Sequence, residues 1–359
     1  MSALKRKRIY PKLYRTALCC VGTVLIVCMS AAKLSVFLSP DVLAQSASGL
    51  EIITPSEETG KENTGRIFAD SDIVENIPVD LNEKALEEKP QAEQKPTEAS
   101  DEYNIIPQDF GVNELSVNPC DSTAEYNIQS CANMSYPQAL KGAVNTNEPL
   151  VLLIHTHATE SFAEEGVGTY SKDSSFRSTD ASKNMISVGR VMCDVLNSAG
   201  VPTIQCETQH DSEDYNTAYN KSLQSTKEYL AKYPSIKYVF DIHRDAIVRD
   251  SGEMVKTYCN INGKDCAQIM ILVGTNTAGA NHPDWQEHFN VALKLQSGLV
   301  SKYDSFARAV SLRGASFNQQ YAPGSLLFEI GSCANTLNEA KYAAGLLAGQ
   351  IAETILENS

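Results

Sequence analysis

Pro149-Leu150-Val151-Leu152-Leu153-Ile154-His155-Thr156-His157-Ala158-Thr159-Glu160-Ser161 is the stretch that decides the fold class. Five apolar residues without polar alternation describe a strand buried on both faces. Pro149 suits the first position of such a strand, where no ladder donor is needed. The same grammar recurs downstream. Residues 183–199 carry Val188, Val191, Met192, Val195 and Leu196 at helical spacing, and Gly200 and Pro202 close them in the expected order. Residues 201–206 read as a short strand, 213–232 as a helix, and 236–242 as a second buried strand ending in His243-Arg244-Asp245. Residues 285–300 form an amphipathic helix, 325–330 a strand carrying Glu329, and 338–356 a last helix. Strand–helix alternation predicts an α/β fold, a mixed sheet flanked by helices.

The 359 residues hold 30 Lys+Arg against 44 Asp+Glu, unevenly spread. Residues 1–40 carry seven basic residues and no acid, whereas 51–103 carry fifteen acids against five bases. No broad basic face is implied, so nucleic acid loses its electrostatic footprint as a partner. Residues 16–38 are apolar except for Lys33, and about 20 apolar residues suffice to span a bilayer. The basic tail at 1–15 should stay cytoplasmic and send the remainder outside. The competing reading is a cleaved signal peptide with its exit at Val42-Leu43-Ala44, though cleavable signals have shorter apolar regions. The expected organisation is thus a cytoplasmic tail at 1–15, a single-pass transmembrane anchor at 16–38, a disordered acidic linker at 39–103 and an extracytoplasmic domain at 104–359. The linker's Glu, Ser, Thr, Lys, Gln and Pro cannot bury enough surface to offset ordering entropy.

Seven cysteines lie beyond the apolar run, with no CxxC pair among them, so a thiolate zinc ribbon is not supported. In an oxidising compartment disulfides are the natural reading. Asn262-Gly263 between strand-like residues 254–261 and 264–271 signals a two-residue hairpin. That register faces Cys259 with Cys266, within bridging range. Cys120–Cys131 and Cys193–Cys206 are pairs suggested by proximity. Cys333 is the candidate for the odd thiol.

In open α/β sheets, ligands gather at the C-terminal ends of strands. His155–Glu160, His243–Asp245 and Glu329 all fall at or near such ends. Two histidines and a carboxylate, with a fourth position for water, make a catalytic zinc site. Glu329 lies in an apolar strand, where an idle carboxylate would cost several kcal/mol. His155 and His157 alternate along an extended chain and so point the same way. His210, His282 and His288 read as surface or supporting residues. There is no HExxH, GxSxG, Walker A loop or GxGxxG, which removes thermolysin-type, α/β-hydrolase and nucleotide chemistry.

VLLIHTHATESF, QHDSEDYNTAYNKS, FDIHRDA, ILVGTNTAGANHPDWQEHFNVALKLQ and FNQQYAPGSLLFEIGSCANTLNEA, in this order, closely resemble the stage II sporulation protein P family across residues 148–355. These are membrane-anchored peptidoglycan hydrolases of endospore-forming bacteria. The resemblance implies a zinc-dependent N-acetylmuramoyl-L-alanine amidase fold, Zn2+ as cofactor, and action during engulfment with stage II sporulation proteins D and M. Endopeptidase activity is attributed to some members. By position it implies His155 and His243 as metal ligands and Glu329 as the catalytic carboxylate. The third ligand is Glu160 or, second, His157; Asn184 stands where general zinc amidases place a Glu. Arg244 suits either a substrate carboxylate or a structural ion pair. Two alternatives remain: a non-catalytic wall-binding scaffold that recruits other hydrolases, and a cysteine peptidase using Cys333 and His243.

Overall fold

The computed structural model describes residues 67–68, 101–120, 135–144 and 148–359. The chain divides into two units, 1–54 and 55–359, and every described residue lies in the second. The expected tail, the anchor and nearly all of the linker therefore lie outside the described residues, as does Cys131 of the Cys120–Cys131 pair. Among the described residues no helix is long and apolar enough to cross a membrane.

Numbered along the chain, the main sheet runs β3 (Val117–Asn118), β11 (Val310–Arg313), β10 (Ile269–Gly274), β12 (Leu326–Ser332), β7 (Tyr238–Ile247), β4 (Val151–Ile154), β6 (Thr203–Gln205). A short β1 (Ile67–Phe68) pairs with the end of β7. All these pairings are parallel except β1–β7 and β10–β12, so the sheet is mixed. A second sheet orders β5 (Thr169–Ser171), β2 (Glu102–Gln108), β8 (Glu253–Ile261) and β9 (Lys264–Ala267). The sequence pattern anticipated one sheet. β2 begins two residues inside the stretch expected to be linker.

Among the described residues four α-helices accompany these strands: α1 (Met185–Ser198), α2 (Ala218–Lys232), α3 (Trp285–Lys302) and α4 (Leu337–Glu357). Asn184 caps α1, its side chain accepting from the Ile186 N–H at 3.0 Å. Such a cap is worth about 1 kcal/mol, and the same amide donates from Nδ2 to Ser178 O at 2.9 Å, a bond a carboxylate could not make. Gly200, at φ 87°, follows the helix in the left-handed conformation that glycine adopts without strain.

The parallel register aligns Leu152 with Val239 and Ile154 with Asp241. On that face Leu152, Ile154, Val239 and Ile236 pack against Tyr229 and Leu230 of α2. Full burial of each aliphatic side chain contributes about 1.5–3 kcal/mol. The opposite face carries α1, which packs on α4. Helices thus cover both faces, which is why β4 is buried at every position.

The hairpin forms at Asn262-Gly263, but its second strand stops at Ala267, and residues 269–274 join the other sheet. Gln268 makes the crossing. Its buried amide accepts from the Phe110 N–H at 2.9 Å and donates to Asp109 Oδ1 and Ser305 O, each at 2.6 Å. Cys259 does face Cys266, yet both are free thiols. Counting back from the two-residue loop makes them a hydrogen-bonded pair, whose side chains stand further apart than those of the alternate pairs. Cys259 donates to the Cys266 carbonyl at 3.7 Å instead. Cys193 and Cys206 are also free, for Cys193 donates to Thr203 O while Cys206 bonds to His210.

Candidate active site

β4 ends at Ile154, and a turn over 156–159 follows immediately. Asp241 of β7 pins that turn, accepting from the Thr156 N–H at 2.9 Å and the Thr156 hydroxyl at 2.6 Å. The turn breaks the extended alternation, so His155 and His157 do not point the same way.

His155 shares the face of Ile242, toward α1. Its Nδ1 donates to Ile242 O at 3.2 Å, and its Nε2 accepts from the Gln205 amide at 2.9 Å. A Cβ added to Gly189 would lie 2.6 Å from this ring, so the glycine is what admits it. Burial pushes His155 down to about 4.

His157 swings to the other face and meets His243, their ring centroids 5.3 Å apart, edge to face. Tyr215 stacks on His157 at 4.3 Å, and Tyr219 meets it edge-on at 5.6 Å. Nε2 of His243 lies 3.0 Å from Asp241 Oδ1, and its Nδ1 lies 3.7 Å from Glu160 Oε2. Glu160 is held by Arg244, whose backbone N–H donates to Oε2 at 3.1 Å. The Arg244 guanidinium is spent on Ser161 O and Phe176 O, at 3.0 and 2.8 Å, and lies 3.8 Å from Glu160 Oε1. Of the two roles open to Arg244, these contacts describe the structural one.

Glu329 of β12 pairs with His243 of β7 in parallel register, so the two side chains leave the sheet on the same face. It is 7% exposed. Beyond it the register slips by one residue before Ser332 pairs with Asp245. Gly331, at φ 73°, lies in this bulge, a device that re-aims side chains beside active sites.

The electrostatics separate the two faces. Burial alone would push His243 down, but Asp241, with Glu160 and Glu329, outweighs it and holds the imidazolium up to about 10. Burial would raise Asp241, yet His243 and Thr156 bring its carboxyl to about 2. The pocket therefore favours a cation. Two imidazoles and a carboxylate, from His157, His243 and Glu160, are the donor types of a catalytic zinc site. That fit is one of chemistry: among the described residues no three His, Cys, Asp or Glu side chains already form a metal-binding group. The expected trio of His155, Glu160 and His243 forms no such group among the described residues either, His155 turning its two ring nitrogens to Ile242 O and the Gln205 amide.

A family model described as Stage II sporulation protein P matches residues 51–352. The chain belongs to the stage II sporulation protein P family. The family member from Bacillus subtilis is 27% identical over 218 residues, covering 58% of this chain and 51% of the relative. The match thus spans about half of that relative's length. Among solved structures, an N-acetylmuramoyl-L-alanine amidase of Nostoc punctiforme is 13% identical at a TM-score of 0.35, covering 59% of this chain and 98% of that one. The CwlD amidase of Clostridioides difficile, solved with the GerS lipoprotein, is 12% identical at 0.35, covering 59% and 100%. Both scores lie below the level that equates folds.

Two further expectations meet the structure. Of the roles open to His210, His282 and His288, surface or supporting, their burial excludes the first. His210 donates from Nδ1 to His155 O at 2.8 Å, and its Nε2 bonds to Ser225 Oγ at 2.9 Å. His282 and His288 bond to each other at 2.8 Å. Cys333 is buried with Met254 and Ala334, and burial pushes its thiol up, which removes the thiolate a cysteine peptidase needs. Asp211, Tyr215 and Tyr219 line the site although sequence reasoning passed over them. Their signal was the QHDSEDYNTAY stretch, whose polar and aromatic density suits a loop over a pocket.

Proposed function

We propose that this chain is a peptidoglycan hydrolase that cleaves the amide joining N-acetylmuramic acid to L-alanine. The observation that carries the reading is the pairing of Glu329 with His243 across β12 and β7, with His157 and Glu160 folded over the same face. Family membership supports a role in sporulation. His157, Glu160 and His243 would hold a zinc ion, which when bound acidifies water and polarises a carbonyl.

The residues account for the proton traffic. Glu329, nearly enclosed and beside His243, takes a proton from a water molecule as the water oxygen attacks the lactyl carbonyl carbon. The C–N bond then breaks, and Glu329 returns that proton to the departing L-alanine amine. Asp241 fixes the ring of His243 by its 3.0 Å contact. Tyr215 and Tyr219 wall off the His157 side from water. The proposal extends to the context the sequence implied: an anchor at 16–38 holding residues 104–359 outside the membrane, with stage II sporulation proteins D and M as partners on the wall.

Peptidoglycan digested by the full-length chain, with and without a chelator, tests this by mass analysis of the products. Free stem peptides that vanish with chelator and return with zinc are expected. Intact glycopeptides under every condition would sink the hydrolase and leave the wall-binding scaffold.

A further inference from the structure

Arg177 stands at the edge of the same pocket, 26% exposed in its side chain, and nothing in the proton traffic uses it. Its position is unusually well fixed. Nη1 donates to the enclosed Asp211 carboxylate at 2.5 Å and to Thr159 Oγ1 at 3.3 Å. The guanidinium carbon lies 4.6 Å from the Tyr215 ring centre, the ring that also stacks on His157. Asp211 is itself held by the Thr159 N–H and hydroxyl, at 3.1 and 2.6 Å. Its Oδ2 lies 3.9 Å from Nδ1 of His157. Arg177 Nη1 is therefore no further from His157 than those two Asp211 distances together. Both hydrogen bonds use Nη1; among the described residues Nε and Nη2 have no hydrogen-bond partner.

A guanidinium offers five donors in a fork that matches a carboxylate. Here ordering is already complete before any ligand arrives, so a carboxylate would bind without the usual side-chain entropy loss. Two extended residues span at most about 7 Å, the scale on which Arg177 sits from His157. We propose that Arg177 is a specificity residue that binds a carboxylate on the second residue of the peptide leaving group, such as the α-carboxylate of a stem beginning L-alanine–D-isoglutamate. This rests on the hydrolase reading, since it takes the scissile amide to lie beside His157 and His243.

The test compares two soluble muropeptides that differ only at the second residue, one with a free α-carboxylate and one amidated there. The full-length wild type should show a KM about 10- to 100-fold lower for the free acid, the scale of a hydrogen-bonded charge pair. In Arg177→Gln the free-acid KM should rise to the amidated value with kcat little changed. Arg177→Lys should recover part of the preference, since it keeps the charge and loses the fork. Equal KM values in the wild type would overturn the proposal, and this comparison needs no variant to fold. So would an Arg177→Gln protein that slows both substrates equally, the mark of a merely structural ion pair. If the wild type cleaves neither, the hydrolase reading fails separately, and calorimetric Kd values for the same two muropeptides decide Arg177 by the same difference.

Discussion

His155 and His157 stand two residues apart at one strand end, and the fold gives them opposite environments. His155 lies among Ile242, Gln205 and the glycine of α1, with burial holding it neutral. His157 lies against His243, Tyr215 and Asp211, in a pocket rich in carboxylates. One side is packed like a core and the other is arranged around charge. The lesson is that a histidine's place in a motif says less than the face of the sheet it reaches.

The largest expected effects break the comparison outright. His157→Ala, His243→Ala and Glu329→Gln should each lower hydrolysis by about 10²–10⁴-fold or more. His155→Ala should instead lower stability, with turnover per folded molecule changed less than about 10-fold. Specific activity corrected for the folded fraction by circular dichroism separates these outcomes. Loss of turnover in folded His155→Ala would return that residue to the chemistry.

Gly189→Ala probes the packed face alone. Its Cβ would come 2.6 Å from the His155 ring and from the Gln205 amide. Overpacking of this kind costs about 1–3 kcal/mol. A lower midpoint in urea is expected, with the zinc dependence of any hydrolysis unchanged. Unaltered stability would show that His155 yields easily and is not locked by α1.

His282 and His288 sharpen the contrast away from the carboxylates. Burial pushes them down to about 4 and about 3, each below the unfolded value near 6.5. The unfolded chain then binds more protons, so their contribution is complete above pH 6.5 and is lost as pH falls toward 4 and 3. Thermal melts over that range should fall less steeply in His288→Gln than in the wild type. Parallel profiles would mean the pair does not contribute.

The smallest effect is expected at Cys333. Enclosed beside Met254, with its thiol pushed up by burial, it should resist iodoacetamide, and Cys333→Ala should keep turnover within about threefold. Rapid alkylation with inactivation would revive the cysteine peptidase.

Much of the fold was legible because it rests on periodicity. The apolar runs at 150–154 and 236–242 marked adjacent buried strands, and Gly200-Val201-Pro202 closed a helix that ends at Ser198. The hairpin register through Cys259 and Cys266 was read correctly from Asn262-Gly263, while the exit at Gln268 was not. A sheet crossing depends on partners such as Asp109 and Ser305, which are remote in sequence. Glu329 drew attention for a physical reason, a carboxylate in an apolar strand. Arg177, Asp211 and Tyr215 carried no such local contradiction, because polar residues in loops are ordinary.

By itself, then, the sequence determined an α/β chain with chemistry-bearing residues at its strand ends, since burial and helical or strand spacing are local properties. Only the tertiary structure decided which of those residues meet. Parity across paired strands put Glu329 and His243 on one face, and the turn pinned by Asp241 sent His157 there while leaving His155 behind. Those choices depend on register between strands some 85 residues apart, which no local pattern encodes.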